Sequence, residues 1–257
     1  FGGISKKSTR MLVIVDYHMG NLHSVKKKLD FLKVDSVISS DPAVILSASK
    51  LILPGVGHFG QAMENLRELH LIDALNEAVL VKKTPILGIC LGMQLMANSS
   101  GERLELEARD RGEKLELDAR SENADQGTSR CTKLVEVSAV ERTSSGVEMG
   151  LGWFEAEVVK FTFEDTLRFK VPQTGWNNIS IAKDSPLMHD IPADAEFYFV
   201  HSYFLKANNP SDVLNYTEYG SRFVSAISKD NIYGCQYHPE KSHDVGLQLI
   251  RNFVLLS

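Results

Sequence analysis

The sequence alternates short apolar runs with segments of helical periodicity, and this alternation limits the possible folds more than any other feature. The run MLVIVD at residues 11–16 is apolar and rich in β-branched residues, and helical spacing follows at Leu22, Val25, Leu29 and Leu32. Strands that alternate with helices predict a largely parallel sheet covered by helices on both faces. The strands predicted in this half are 11–16, 36–39, 51–53 and 85–90, and the helices are 62–81 and 91–98.

The second half of the chain has a different pattern. From Gly152 onward, short segments of alternating polar and apolar residues predict additional, partly antiparallel strands. A helix over 245–256 is predicted to close the domain. The fold class expected is therefore α/β, with extra antiparallel strands in the C-terminal half. Those strands are predicted at 155–161, 178–182, 197–203, 223–228 and 232–236.

The 257 residues, 43% of them hydrophobic, are enough for one large domain, which we expect over 11–257. Residues 1–10 are polar and rich in Gly and Ser, so we expect a leader or disordered tail there. An atypical charged insertion is predicted at about 101–146. It contains a near-duplication, GERLELEARDR followed by GEKLELDARSE, and its composition favours an exposed hairpin or a disordered loop.

Charge and hydropathy exclude several classes of function. There are 33 acidic and 28 basic residues, a formal net charge of -5, and no long basic stretch, so a nucleic acid partner is not expected. No apolar run reaches the roughly 20 residues that span a bilayer, so we expect no membrane association and a cytoplasmic location. The three cysteines, Cys90, Cys131 and Cys235, suit neither a disulfide framework nor a four-ligand zinc site, and no metal or cofactor is predicted.

Cys90 has the setting of a nucleophile. It lies in the segment GICLG (88–92), at the end of a predicted buried strand and the start of a predicted helix. A tight strand-to-helix turn holds a nucleophile clear of the backbone, and the amides of the helix N-terminus face developing negative charge. A lone cysteine is more often a buried packing residue, so the assignment depends on the flanking glycines and on partners elsewhere in the chain.

A base and an orienting carboxylate lie in one short segment near the C-terminus. His238 follows an apolar strand, and Pro239 ends the strand pairing so that the neighbouring side chains project from a rigid corner. Residues two apart in extended chain face the same side, so Glu240 can hold the imidazole that His238 offers to the sulfur. Cys90, His238 and Glu240 then form a triad that can attack a side-chain amide, giving a thioester and free ammonia.

The loop PGVG at 54–57 can supply hydrogen-bond donors to the oxyanion of such a reaction. Its glycines let backbone amides approach a substrate oxygen or turn toward it. Because the loop precedes Cys90 by one helix and one strand, a parallel sheet returns it to the same carboxyl edge. A plain turn has the same composition, so the loop is not specific by itself.

Three of these segments resemble the motifs of class I (triad) glutamine amidotransferases. LPGVGHFGQAM (53–63) resembles the oxyanion loop, GICLGMQLM (88–96) the nucleophile elbow, and YHPEKS (237–242) the His/Glu motif. Within that family, DYHMGNLHSV, PQTGWNN and FVHSYF resemble segments of the glutaminase subunits of imidazole glycerol phosphate synthases. The likeness covers nearly all of 11–98 and 150–256.

The resemblance implies a flavodoxin-like doubly wound domain that hydrolyses glutamine without a cofactor. It also implies a heterodimer in which ammonia passes to a (β/α)₈ cyclase subunit for histidine biosynthesis. The residues that the resemblance assigns to the oxyanion are Val56, Gly57 and Leu91. Those that it assigns to glutamine binding are Gly55, Gln94, His201, Ser202 and Tyr203.

The sequence departs from the family at three places. His18 replaces the usual Gly after Asp-Tyr, Gln173 replaces the usual His of the segment before Gly-Trp-Asn, and the insertion at 101–146 has no counterpart. The first two lie near the expected interface, so the chain could instead be a paralogue that supplies a surface-polysaccharide sugar amidotransferase. Because a Cys-His-Glu set can serve any acyl transfer, the alternative from another class is a thiol hydrolase or peptidase on the same fold.

Overall fold

The structure, a computed structural model, describes residues 11–102 and 147–256. The predicted leader lies outside the described residues, as do residues 103–146 of the predicted insertion, which contain Cys131 and all but the first two residues of the near-duplication. Within these ranges, no helix combines the length and the apolar composition that crossing a membrane requires.

The first half of the described chain alternates strands with helices, as its apolar pattern predicts. Its strands are β1 (Leu12–Val15), β2 (Ser36–Ser39), β3 (Lys50–Gly55), β4 (Ile86–Cys90) and β5 (Ala97–Ser100). Its helices are α1 (Leu22–Phe31), α2 (Pro42–Ser47), α3 (Phe59–Glu68), α4 (Leu71–Asn76), a π-helical turn (Glu77–Val81) and α5 (Leu91–Gln94).

The second half consists mainly of strands and closes with a helix. The strands are β6 (Glu148–Met149), β7 (Phe154–Lys160), β8 (Gln173–Asn178), β9 (Ser180–Ile181), β10 (Glu196–His201), β11 (Tyr203–Ala207), β12 (Val213–Tyr219), β13 (Ser221–Lys229) and β14 (Ile232–Cys235). Short 3-10 helices lie at Pro186–Met188, Pro210–Asp212 and Pro239–Lys241. The final helix is α6 (His243–Leu255).

The strand order explains how the two halves join. The strands β2-β1-β3-β4-β14 pair in parallel, which is the flavodoxin-like order 2-1-3-4-5 with β14 in the fifth place. Beyond β14 the sheet continues through the antiparallel strands β13, β11 and β7 and ends at β5 and β6. β8 and β10 form a separate antiparallel pair. The predicted α/β class, with antiparallel strands added in the C-terminal half, is confirmed.

The continuous apolar runs of the central strands reflect burial on both faces of the sheet. Along β1, Leu12 and Ile14 pack into one core while Val13 and Val15 pack into the other. Helices α1 and α6 cover the first face, and α3 and α4 cover the second. A strand buried on both sides has no polar face, which is why β1, β3 and β4 are apolar without alternation.

Two predicted helices are wrong in extent. The helix predicted over 62–81 is interrupted after Glu68, where His70 adopts the left-handed conformation at φ 55°. The helix predicted over 91–98 ends at Gln94, because the carbonyls of Leu95 and Met96 accept hydrogen bonds from the backbone of residues 151–154. Tertiary pairing therefore overrides local helical spacing at both places.

Several strands also differ from the prediction. The segment 178–182 belongs to two strands, β8 and β9, and the segment 197–203 is divided between β10 and β11. The prediction omitted α2, β5 and β12. These elements are short or lack a clear apolar period, so the sequence pattern carries little signal for them.

Candidate active site

The carboxyl ends of three strands bring distant parts of the chain together. In the parallel pairing of β3 with β4, Gly55 lies opposite Cys90. In the pairing of β14 with β4, Cys235 lies opposite Ile89, so the chain that leaves β14 passes directly beside Cys90. The PGVG loop, Cys90 and the segment that contains His238 therefore meet at one edge of the sheet, as the sequence predicts.

Cys90 lies on a strained turn between β4 and α5. Its backbone has φ 55° and ψ -111°, which L-residues rarely adopt, and strain of this kind is typical of a nucleophile elbow. A Cβ atom at Gly92 would lie 1.7 Å from the Leu53 carbonyl oxygen, so only glycine lets α5 pack this closely on β3. The single turn of α5 aligns few peptide dipoles, so the helix contributes less to stabilising a thiolate than the sequence predicts.

His238 and Glu240 form a buried pair. The Nδ1 atom of His238 lies 2.8 Å from Oε1 of Glu240, and both side chains are almost fully buried. The sequence predicted this contact from extended chain, but the structure makes it through the 3-10 turn Pro239–Lys241. The backbone of His238 is held on both sides, since its N–H donates to the Tyr198 carbonyl at 2.9 Å and its carbonyl accepts from Ser242 Oγ at 2.7 Å.

The electrostatics of this pair favour a protonated imidazole. Burial lowers the pKa of His238, but hydrogen bonding to Cys90 and Glu240 and their negative charge outweigh burial and raise the pKa to about 9. Because Glu240 occupies Nδ1, the Nε2 atom is left for the sulfur. Nε2 makes no hydrogen bond of normal geometry with any described residue, so its approach to Cys90 is longer than a normal hydrogen bond.

The predicted oxyanion residues lie beside the elbow. The Cβ position of Gly55 would be 3.0 Å from Cβ of Leu91, which places the PGVG loop against the first residue of α5. Gly57 has φ +112°, a conformation suited to glycine. Val56 is 41% exposed, whereas Leu91 is buried. The loop thus reaches the site with one side open to solvent.

The residues predicted to bind glutamine are linked through one carbonyl. The Tyr203 carbonyl accepts hydrogen bonds from Gln94 Nε2 and from His201 Nδ1, both at 2.8 Å. Burial lowers the pKa of His201 to about 3, and the neighbouring His238 lowers it too, against the opposing effect of the Tyr203 bond. His201 is therefore neutral and carries its proton on Nδ1. Ser202 lies between these two residues, where β10 passes into β11.

Three residues at the site were not predicted from the sequence. Tyr17 is fully buried with its hydroxyl against Gly55, and burial together with Cys90 raises its pKa. Gln236 donates to the Cys90 sulfur at 3.5 Å. Glu102 accepts from the Phe59 amide at 2.6 Å and so caps α3 directly after the PGVG loop. Tyr17 and Gln236 follow strand ends, which is a signal that could have identified them, whereas Glu102 was included in the predicted insertion and has no local signal.

The two substitutions that depart from the family pattern have different surroundings. His18 is exposed, at φ 64°, next to Asp16. Gln173 is fully buried and donates from Nε2 to Asn177 Oδ1 at 2.7 Å, so it cannot touch a partner directly. The exposed aromatic residue of that strand is Trp176, whose ring stacks on His243 with centroids 4.9 Å apart.

The other described cysteine, Cys235, has the surroundings of a packing residue. Cys235 is fully buried, and burial raises its pKa well above the ordinary value, which suits a core thiol. In the ranges that the structure describes, no three His, Cys, Asp or Glu side chains are grouped so that they could hold a metal ion.

The chain is similar to glutamine amidotransferases along nearly its whole length. The family described as glutamine amidotransferase class-I matches residues 13–256. The imidazole glycerol phosphate synthase subunit HisH 2 of Methanococcus maripaludis is 40% identical over 244 residues, which cover 95% of this chain and 98% of the relative. The subunit HisH 1 of Campylobacter jejuni is 39% identical over 246 residues, which cover 96% of this chain and 100% of the relative.

The fold agrees with these sequence relatives. A solved structure of a glutamine amidotransferase superposes with a TM-score of 0.61 at 14% sequence identity, covering 94% of this chain and 96% of that chain. A likeness at this identity speaks for the fold, while the match over 13–256 speaks for the family. The chain belongs to the class-I glutamine amidotransferase family.

Proposed function

We propose that the chain is the glutaminase subunit of an imidazole glycerol phosphate synthase and that Cys90, His238 and Glu240 carry out its hydrolysis of glutamine. The observation that carries the site assignment is the meeting of Cys90 with a buried His238–Glu240 pair held at 2.8 Å. The pathway assignment rests on relatives that are named as subunits of this synthase.

The proposed reaction runs through a thioester. His238 Nε2 takes the proton of the Cys90 thiol, and the sulfur forms a bond to the side-chain carbonyl carbon of glutamine. The C–N bond of the tetrahedral intermediate breaks, His238 gives its proton to the leaving nitrogen, and ammonia departs. Water then adds to the thioester with His238 as base, the C–S bond breaks, and the proton returns to the sulfur as glutamate is released. Glu240 keeps Nδ1 protonated throughout.

The oxyanion of both tetrahedral intermediates is proposed to face backbone amides of Val56, Gly57 and Leu91. The amide of Leu91 directly follows the nucleophile, so it lies on the side of the elbow where the negative charge develops. The PGVG loop is open to solvent at Val56, so its amides can turn toward the substrate when the loop changes conformation. Gly55, Gln94 and the segment 201–203 are proposed to bind glutamine itself.

The proposed partner is a (β/α)₈ cyclase subunit, bound as a heterodimer in the cytoplasm, with no role for nucleic acid or a membrane. A partner can reach the oxyanion loop directly, because Val56 is exposed. Two further exposed side chains, His18 and Trp176, are available for contact with the partner. If the partner turns the loop into its active conformation, glutamine hydrolysis is slow in the isolated chain and faster in the complex. Equal rates with and without the liganded partner would contradict this step.

The sugar-amidating paralogue remains the competing pathway, although the names of the relatives do not favour it. Of the two substituted positions, His18 is exposed and Gln173 is buried, so His18 is the one of the two that a partner could contact directly. The decisive measurement is which synthase co-purifies with the chain and uses its ammonia. Glutamine-dependent amination of a sugar, without formation of an imidazole product, would replace the proposed pathway.

The site assignment is tested by covalent labelling. A glutamine analogue with an electrophilic carbon in place of the side-chain amide should modify Cys90 and abolish ammonia release, as mass spectrometry of the labelled peptide would show. Labelling at Cys131 or Cys235 with Cys90 untouched would overturn the assignment. Turnover of peptides or esters without any requirement for glutamine would favour the thiol hydrolase instead.

A further inference from the structure

Two buried glutamine side chains form a hydrogen-bonded chain that ends on the sulfur of Cys90. Gln94, on α5, is 5% exposed, and Gln236, directly after β14, is 0% exposed. Gln94 Nε2 donates to the Tyr203 carbonyl at 2.8 Å and to Gln236 Oε1 at 2.9 Å. Gln236 Nε2 donates to Cys90 Sγ at 3.5 Å. Water has little access to any of these groups, so each depends on the next for its partner.

The backbone carbonyl of Tyr203 fixes the direction of this chain. A carbonyl can only accept, so the end of Gln94 that faces it must be the NH₂ group. The second hydrogen of that NH₂ group points at Gln236, so Gln236 must present its oxygen there. Its own NH₂ group is then turned toward Cys90. The usual ambiguity in the orientation of a glutamine amide is thereby removed at both positions.

We propose that Gln236 is a catalytic hydrogen-bond donor to the Cys90 sulfur and that Gln94 is a positioning residue that holds the donor in its orientation. This proposal rests on the proposed function, because it takes Cys90 as the nucleophile. A hydrogen bond to an ionised acceptor is stronger than one to its neutral form, so the Gln236 amide favours the thiolate over the thiol. The one-turn helix α5 supplies little of this stabilisation, so the amide acts together with the protonated imidazole of His238.

The donor has a place in both halves of the reaction. In the first half the thiol proton moves to His238, and the electron pair left on the sulfur is stabilised by the Gln236 N–H until the bond to carbon forms. In the second half the C–S bond of the intermediate breaks and the sulfur takes the electron pair back, so the same N–H stabilises the leaving group. No further reactant is needed.

A purely structural role is the competing explanation, because the hydrogen bond between the two amides also joins α5 to the segment that follows β14. The two explanations predict different effects on the reactivity of the Cys90 thiol. If the hydrogen bond is only structural, its removal lowers the free energy of unfolding but leaves the reactivity of the folded Cys90 unchanged. A donor, once removed, makes the thiolate less populated, so the thiol reacts more slowly at a given pH.

The test is the rate at which iodoacetamide alkylates Cys90 in the full chain without glutamine, followed by mass spectrometry between about pH 5 and pH 9. In Gln236→Met, which keeps the volume and removes the donor, we expect the rate at pH 7 to fall by about tenfold and the pH profile to move to higher pH. In the matched control Gln248→Met, which removes an amide bonded to Asn252 on α6, the rate should stay within about twofold.

Gln94→Leu provides a second variant, which also gives an answer if Gln236→Met does not fold. It should lower the alkylation rate in the same direction by a smaller factor, and it should add little in a Gln236→Met background, because both act through one hydrogen bond. The absence of glutamine in the assay separates this effect from any role of Gln94 in substrate binding.

The outcomes distinguish the inference from the function on which it rests. A folded Gln236→Met chain with the native alkylation rate and pH profile would overturn the inference alone, as would a Gln94→Leu chain in which only KM for glutamine changes. Retained glutamine hydrolysis in Cys90→Ser would instead overturn the proposed function. Slower alkylation with a shifted profile, together with a lower kcat, supports both.

Discussion

The two sides of the proposed active site differ in how firmly they are fixed. Cys90, His238 and Glu240 are 6%, 2% and 6% exposed. Cys90 ends the central strand β4, and the backbone of His238 is hydrogen-bonded through both its N–H and its carbonyl. The oxyanion loop has Val56 41% exposed and Gly57 at φ +112°. Buried, bonded groups are preorganised, whereas an exposed glycine loop changes conformation easily. We infer that the triad is ready before glutamine binds and that the loop is the part that a partner can switch.

The largest effect on activity is expected from replacing Cys90, the proposed nucleophile on the fixed side of the site. Cys90→Ser should lower kcat for glutamine hydrolysis by at least roughly 10³-fold, because a serine hydroxyl is a far weaker nucleophile beside this base. The fold should persist, with a change in the free energy of unfolding below about 1.5 kcal/mol. Ammonia release and urea unfolding measure the two quantities. Substantial turnover in a folded Cys90→Ser chain would rule out the thioester route.

A smaller loss is expected when the orienting carboxylate is replaced. Glu240→Gln keeps the shape but no longer selects the imidazole tautomer that offers Nε2 to the sulfur, so kcat should fall by roughly 10³-fold or somewhat less. Glu157→Gln is the control, since that side chain pairs with Lys206 on the surface and its loss should leave kcat unchanged. If the two variants were equally active, His238 would not depend on Glu240 for its orientation.

The fixed side of the site was also the more predictable from sequence. Continuous apolar runs identify β3 and β4, and their parallel pairing brings the PGVG loop to the same edge as Cys90. The strand before His238 was predicted from an alternating segment, and its parallel place beside β4 comes from the structure. The elbow glycines carry a local signal because close packing against β3 excludes any side chain at Gly92. The apolar strands and the elbow glycines can be recognised because each depends on the residues of its own short segment.

What the sequence could not predict depends on contacts between distant segments. The early end of α5 is set by hydrogen bonds from residues 151–154, which have no counterpart in local spacing. The donor role of Gln236 exists only because Gln94 and the Tyr203 carbonyl orient it. Tyr17 reaches Gly55 from the neighbouring strand. Such contacts form only when the chain folds, so no periodic pattern in the sequence predicts them.

Gly57→Ala tests the side of the comparison that the oxyanion loop forms. A side chain at φ +112° is strained, and its Cβ would lie 2.6 Å from Met19 Cε, so the loop should lose the conformation it needs. We expect glutamine hydrolysis to fall by roughly tenfold and the free energy of unfolding by about 1 to 2 kcal/mol. Gly152→Ala, at φ 68° with no close contact, should cost about 1 kcal/mol of stability without loss of activity. Equal activity of both variants would remove the loop from the mechanism.

The smallest expected effect is a pH dependence of stability that the two buried histidines impose in opposite directions. His238 has its pKa raised from 6.5 to about 9, so the folded chain keeps a proton that the unfolded chain loses, and the free energy of unfolding falls as pH rises through that window. His201 has its pKa lowered from 6.5 to about 3, so only the unfolded chain gains a proton as pH falls below 6.5, and the free energy of unfolding falls there too.

These two groups together favour a maximum in the free energy of unfolding near pH 6.5. The fall above this pH (the alkaline limb) and the fall below it (the acid limb) can each be reduced by one substitution. Glu240→Gln takes away one cause of the raised His238 pKa and should flatten the alkaline limb. His201→Phe, at a position packed among Phe161 and Phe223, should flatten the acid limb. Urea unfolding between about pH 4 and pH 9 measures the slopes, and comparison of each variant with the native chain cancels the titration of the groups that the substitution leaves unchanged. If Glu240→Gln left the alkaline slope intact, Glu240 would not be a cause of the raised His238 pKa, and the electrostatic part of the contrast would rest on Cys90 alone.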